Sequence, residues 1–189
     1  QTGSLSFEMM TLSGLSSWLI FLAIGVKCAF PLLHSWLVDG YPEATPTGTV
    51  FLASFTTKTA VYALARGFAG TEELIWIGAA MTMFPIFYAV IENDLRRVLG
   101  YSMINQIGFM VVGVGLGPGM GVNGAVAHAF NDVIFKGLLF MSMGAVLYEA
   151  LTGRLPFEAE SVIELLLQIC DEEPPPLRLH APSISASVE

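Results

Sequence analysis

Three lysines, Lys27, Lys58 and Lys136, stand inside long apolar runs, whereas the five arginines, Arg66, Arg96, Arg97, Arg154 and Arg178, stand at the edges of such runs or beyond them. This segregation points to proton chemistry. Arginine keeps its charge at any accessible pH, but a desolvated lysine can release a proton and take it back. In the last apolar run His128, Asp132 and Lys136 follow at i, i+4 and i+8, so a base, an acid and a second base share one helical face. At 1.5 Å per residue the trio spans about 12 Å, over a third of a hydrocarbon core of about 30 Å. Exchangeable groups spaced in this way, with water between them, are what a proton relay requires.

Each of these residues has polar company. Lys27 is followed four residues on by Pro31, which has no N–H for the Lys27 carbonyl, so a helix breaks or kinks there. Irregular backbone at membrane depth is tolerated where protein or a water-filled cavity satisfies it, and transporters place ion sites at such breaks. Lys58 lies in Thr56-Thr57-Lys58-Thr59, whose hydroxyls can bond preceding carbonyls or hold water beside the ammonium. Ser102, Asn105 and Gln106 add a polar stripe to the fourth run. The blander readings are lysines that snorkel or form structural ion pairs, a proline kink used for packing, an Asp132–Lys136 pair along one helix, and a stripe of interhelical hydrogen-bond glue. A charge at the bilayer centre costs about 2.5–3.5 kcal/mol on insertion scales, which weighs against three lysines kept without use.

The elements that must position these groups are membrane-crossing helices. Hydrophobic residues make up 54% of the 189 and charged residues 13%, with a mean hydropathy of +0.67. That is too little polar surface to coat a water-soluble globule. Five runs approach the roughly 20 residues a crossing needs: Leu12–Val38, Thr47–Gly67, Leu74–Ile91, Val98–Gly117 and Val122–Tyr148. Asp39-Gly40-Tyr41-Pro42-Glu43, Gly70-Thr71-Glu72-Glu73, Glu92-Asn93-Asp94 and Gly117-Pro118-Gly119 separate them with breakers and charges. The fold class expected is therefore all-α, a polytopic bundle of about five transmembrane helices, one of them broken at Pro31. The first run does not read as a secretory signal, because it lacks a basic leading region and follows the acidic Glu8. Cys28 and Cys170 have no partners at a metal or redox spacing, and nothing supplies iron–sulfur or haem ligands, so neither metal nor cofactor is expected. Residues 1–148 carry six basic against eight acidic side chains, and residues 149–189 two against eight. The acidity belongs to the tail, and nucleic acid is excluded as a partner for want of a basic patch.

Lys27-Cys28-Ala29-Phe30-Pro31-Leu32-Leu33-His34-Ser35-Trp36-Leu37 and Pro42-Glu43-Ala44-Thr45-Pro46-Thr47 resemble the broken-helix segment of the proton-pumping membrane subunits of respiratory complex I and of Mrp-type cation/proton antiporters. The likeness continues through Lys58, Asn93-Asp94-Leu95-Arg96-Arg97-Val98-Leu99-Gly100-Tyr101-Ser102 and Phe135-Lys136-Gly137-Leu138-Leu139-Phe140, covering residues 15–148. The resemblance implies a fragment of a subunit with two inverted repeats, Lys27 as the central broken-helix lysine, Lys58 as the lysine of the following helix, and His128 and Lys136 as members of the later relay. Asp132 stands where many members have a second histidine and Gln106 where complex I subunits often have one, which leans toward the antiporter branch. The implied cargo is protons, with Na+ as the candidate cation of an antiporter. The implied partners are membrane lipid and the other subunits of an antiporter or NADH-quinone oxidoreductase complex, in a bacterial inner membrane.

The tail is expected to be separate. Gly144–Phe157, Ile163–Leu167 and Asp171–Pro176 resemble the C-lobe of a bacterial Ser/Thr protein kinase. The chain holds no Gly-rich phosphate loop, strand lysine, catalytic-loop Asp or Asp-Phe-Gly, so kinase activity is excluded. The organisation expected is thus a translocating fragment over 1–148 and an acidic, partly helical, proline-rich tail over 149–189. A competing reading of another class is an inactive membrane scaffold that tethers this tail. If the runs alternate, the loops at Asp39 and Arg96-Arg97 share a side with Arg154, and the positive-inside rule makes that side cytoplasmic.

Overall fold

The computed structural model describes residues 9–158, together with 161, 164, 168 and 175–182. Helices make up most of it, and no strand occurs among the described residues. The chain divides into two compact units, Gln1–Phe140 and Met141–Glu189. In order along the chain come α1 (Leu15–Lys27), α2 (Ser35–Glu43), α3 (Pro46–Phe51), a π-helical turn (Leu52–Thr56), α4 (Thr57–Gly67), α5 (Glu72–Ile91), α6 (Leu95–Gly115) and α7 (Met120–Thr152). The expected tail helix around Ser161–Cys170 lies largely outside the described residues; beyond it Leu177–His180 forms a single turn.

The last three apolar runs fold as α5, α6 and α7, each long and apolar enough to cross a membrane unbroken. The first run is interrupted, and the second carries a π turn. Leu12–Val38 becomes α1 and α2, with Cys28–His34 irregular between them. Thr47–Gly67 becomes α3, the π turn and α4 in unbroken succession from Pro46.

The break in the first run starts before Pro31. Ala29 turns to φ 58°, its N–H bonds the Val26 carbonyl at 3.1 Å, and the Phe30 N–H bonds the Gly25 carbonyl at 3.0 Å. This is a Schellman ending with alanine where glycine is usual, and the left-handed conformation costs about 1–2 kcal/mol in a residue with a Cβ. Phe30 folds back over Gly25 so closely that a Cβ there would stand 2.5 Å from its ring. Trp36 Nε1 then donates to the Val26 carbonyl at 2.7 Å. Pro31 reinforces an ending that the backbone has already made, since it disfavours helix at Phe30.

α5 and α6 are packed backbone to backbone. A Cβ on Gly78 would meet the Val112 nitrogen at 2.7 Å and the Gly108 carbonyl at 2.8 Å, the close approach that small residues permit between membrane helices. The buried side of α6 carries Met103, Ile104, Ile107 and Val111. Trp76, Met83, Phe87 and Val90 of α5 point outward, a face that suits lipid and would be a liability in water.

At one end of the bundle two arginines tie α6 to the second half of the broken run. Arg96 Nη1 donates to the Pro42 carbonyl at 2.9 Å, and Arg97 faces Asp39 at 3.5 Å. Asp94 caps α6, its carboxylate accepting from the Arg96 N–H at 2.8 Å.

Candidate functional site

The centre of the site is the π turn. A π turn carries one more residue than an α turn and is frequent at functional positions, where its carbonyls are displaced from their usual donors. Here side chains supply the donors. Tyr41 Oη bonds the Leu52 carbonyl at 2.9 Å, and Lys58 Nζ bonds the Ala53 carbonyl at 2.7 Å.

Lys58 has a second partner on another helix. Its Nζ lies 2.7 Å from Asp132 Oδ2 of α7, with the two side chains only 8% and 2% exposed. Farther along α7, Gly137 faces Ser54 Oγ and Val50 at ordinary contact distance. A buried charge pair with a further main-chain acceptor is the arrangement in which ionised groups can exist away from water.

Lys136 is fully buried, one turn along α7 from Asp132. The spacing along the helix allowed an Asp132–Lys136 pair, but the structure gives Asp132 to Lys58 and Lys136 to Ser102, whose Oγ lies 2.6 Å from Lys136 Nζ. Asn105 and Gln106 continue the stripe. Asn105 Nδ2 donates to the Thr82 carbonyl at 2.6 Å, and Gln106 Nε2 to Asn105 Oδ1 at 3.2 Å.

Two of the five expected relay residues stand apart from this cluster. His128 has its Nε2 buried without a hydrogen-bond partner among the described residues, and its ring meets Phe109 edge to face at 6.2 Å. Lys27 is exposed, with its ammonium 5.1 Å from the centre of the Trp36 ring, a cation–π contact. A groove of about 410 Å³ runs from Lys27, Ile24 and Ile20 on α1 to Thr56, Thr59 and Ala63. Thr56 and Thr59 thus reach the same groove as Lys27, while Lys58 turns inward to Asp132.

No group of three or more His, Cys, Asp or Glu side chains able to hold a metal ion occurs among the described residues. Sequence reasoning missed the two displaced carbonyls, Tyr41 as a donor to one of them, and Trp36 over Lys27. Only the aromatic pair had a signal, as residues within or just after the break.

The family described as "NADH:quinone oxidoreductase/Mrp antiporter, TM" matches residues 2–160. NADH-quinone oxidoreductase subunit N of Desulforudis audaxviator is 33% identical over 141 residues, 69% of this chain and 28% of that protein. F(420)H(2) dehydrogenase subunit L of Methanosarcina mazei is 32% identical over 158 residues, 78% of this chain and 23% of that one. Among solved structures, a chain of the Mrp complex from Dietzia sp. DQ12-45-1b superposes with a TM-score of 0.64 at 28% identity, over 70% of this chain and 26% of that chain. The chain therefore spans between a fifth and a third of the length of these relatives.

Proposed function

From the premise that this chain belongs to the NADH:quinone oxidoreductase/Mrp antiporter transmembrane family, and so is a multi-pass membrane protein, we propose that it carries protons across a bilayer as part of an antiporter-like subunit. The observation that carries this reading is the buried Lys58–Asp132 pair at 2.7 Å with Lys136 one turn away. Four features support it together: ionisable groups away from water, a π turn, a broken helix, and a groove that ends at Lys27. In the proposed path Lys27 receives a proton from the groove, Lys58 and Asp132 hold the middle, and Lys136 and His128 continue along α7. Partner subunits supply the coupling, lipid covers the apolar faces, and the acidic tail takes no catalytic part.

The departure at Asp132 favours cation/proton antiport over a purely proton-pumping role in a quinone oxidoreductase. A carboxylate paired with a lysine offers a monovalent cation a site when the ammonium leaves, which a histidine does not. The competing reading, a scaffold without transport, makes a different forecast in liposomes.

The test is flux into liposomes containing a pH-sensitive dye, with the full subunit in its complex. Lys58→Ala should lower the proton flux at least about a hundredfold, the usual range for removing a group that transfers a proton. Flux unchanged by Lys58→Ala, or no flux above empty liposomes, would leave the scaffold reading standing.

A further inference from the structure

The two buried lysines of the site have acceptors of different kinds. Lys58 meets a carbonyl and a carboxylate, both at 2.7 Å, and neither of these has a hydrogen to give. Lys136 meets the hydroxyl of Ser102 at 2.6 Å. A hydroxyl accepts from an ammonium and, by rotating its O–H, donates to a neutral amine, so one contact serves both forms without movement of a heavy atom. We infer that Ser102 is a positioning residue that holds Lys136 through both halves of a protonation cycle, so that Lys136 exchanges its proton without losing its partner. The inference deepens the relay reading above and rests on it.

The packing of α6 on α7 sets the register of the contact. The helices run antiparallel, with Ser102 against Lys136, Phe109 against His128 and Gly113 against Gly121 and Ala125. A Cβ on Gly113 would stand 2.9 Å from the Gly121 carbonyl, and one on Gly121 would stand 2.5 Å from the Gly113 carbonyl. The main chains touch at the Gly113–Gly121 end, which sets the register that brings Ser102 to Lys136. The charged groups acting on Lys136 are Asp132 of its own helix and Lys58 from α4, and these two are already bonded to each other.

The exchange balances without any change at serine. In the charged state one Nζ hydrogen points at Ser102 Oγ. A different Nζ hydrogen leaves to a water or to the next relay group, the nitrogen keeps the lone pair, and the serine O–H turns to donate to it. Reprotonation reverses the rotation, and Ser102 retains its own hydrogen throughout.

Three variants separate the hydroxyl from its volume. S102T keeps the hydroxyl and adds a methyl group, S102V has the same shape without the hydroxyl, and S102A removes it with no added bulk. In liposome flux of the full subunit, S102A and S102V should each lose about tenfold or more, as for loss of a hydrogen bond to a charged group. S102T should stay within about threefold of the parent, since the donor and acceptor are kept. Parent-like flux in S102A or S102V overturns the inference, and so does an S102T as slow as S102V. A second measurement does not depend on transport. S102A should lower the unfolding midpoint in detergent in the parent but not in a K136M background, and an equal drop in both backgrounds overturns the contact. If the parent transports nothing, or Lys58→Ala changes nothing, it is the relay reading that fails, and the unfolding pair still decides the role of Ser102.

Discussion

Neutralising Asp132 should strand a buried ammonium, and a double-mutant cycle with Lys58 measures the consequence. Asp132→Asn keeps the side-chain shape and removes the charge 2.7 Å from Lys58 Nζ. Both side chains are almost wholly enclosed, at 8% and 2% exposure, so water cannot replace the lost partner. Breaking a buried pair from one side costs about 3–5 kcal/mol in soluble proteins. The Ala53 carbonyl still accepts from Lys58, and the asparagine oxygen remains an acceptor, which puts the expected cost at the lower end, about 3 kcal/mol. Lys58→Met leaves a carboxylate alone and should cost a similar amount. The double variant strands neither charge, so its cost should fall short of the sum by about 2 kcal/mol or more, within the range seen for groups in contact. The assay is helix content during a titration from mild detergent into a denaturing one, run on the parent, the two single variants and the double. Additivity to within about 0.5 kcal/mol would show that the two residues do not sense each other, and the relay would lose its central link.

Ala29 stands at φ 58°, so Ala29→Gly should relieve left-handed strain and raise stability in the same titration by up to about 1 kcal/mol, the gain being reduced by glycine's freedom in the unfolded chain; a loss of stability would mean that the Schellman ending is not the native one. Lys27→Arg keeps a cation over Trp36 but fixes its proton, so the subunit should insert normally while flux falls about tenfold or more; parent-like flux would make Lys27 a structural cation. If, as the positive-inside rule expects of Arg96 and Arg97, that end is cytoplasmic, Asn93→Cys in a background without Cys28 and Cys170 should resist a membrane-impermeant maleimide in intact cells and react after permeabilisation; ready labelling from outside would invert the topology.

Helices α5, α6 and α7 were legible in the sequence because their ends carry strong local signals. Thr71 precedes two glutamates, Asp94 caps α6, and Gly117-Pro118-Gly119 cannot continue a helix. The inner geometry of the first two runs was not legible, for reasons that lie in tertiary packing. A Schellman ending is looked for at glycine or asparagine, and here an alanine takes the left-handed position where Phe30 packs on Gly25 and Trp36 adds a second donor to the Val26 carbonyl. The π turn has no residue signature at all. It exists where Tyr41 and Lys58 reach two carbonyls that a regular helix would have used itself.

The site shows the same division between local and distant causes. The spacing of His128, Asp132 and Lys136 correctly placed three groups on one helix, but helical spacing can only propose partners four residues away. Across a bundle, a short carboxylate is better served by a long lysine arriving from a neighbouring helix, because the second donor comes with its own backbone acceptor nearby. Lys58 meets that requirement, since the π turn brings the Ala53 carbonyl to the same ammonium. Asp132 is thereby taken from Lys136, and Lys136 turns to the hydroxyl of Ser102. The displaced carbonyl at Ala53 therefore decides the partner of a lysine on another helix, and removing the π turn by deleting one residue from Leu52–Thr56 should break both contacts at once.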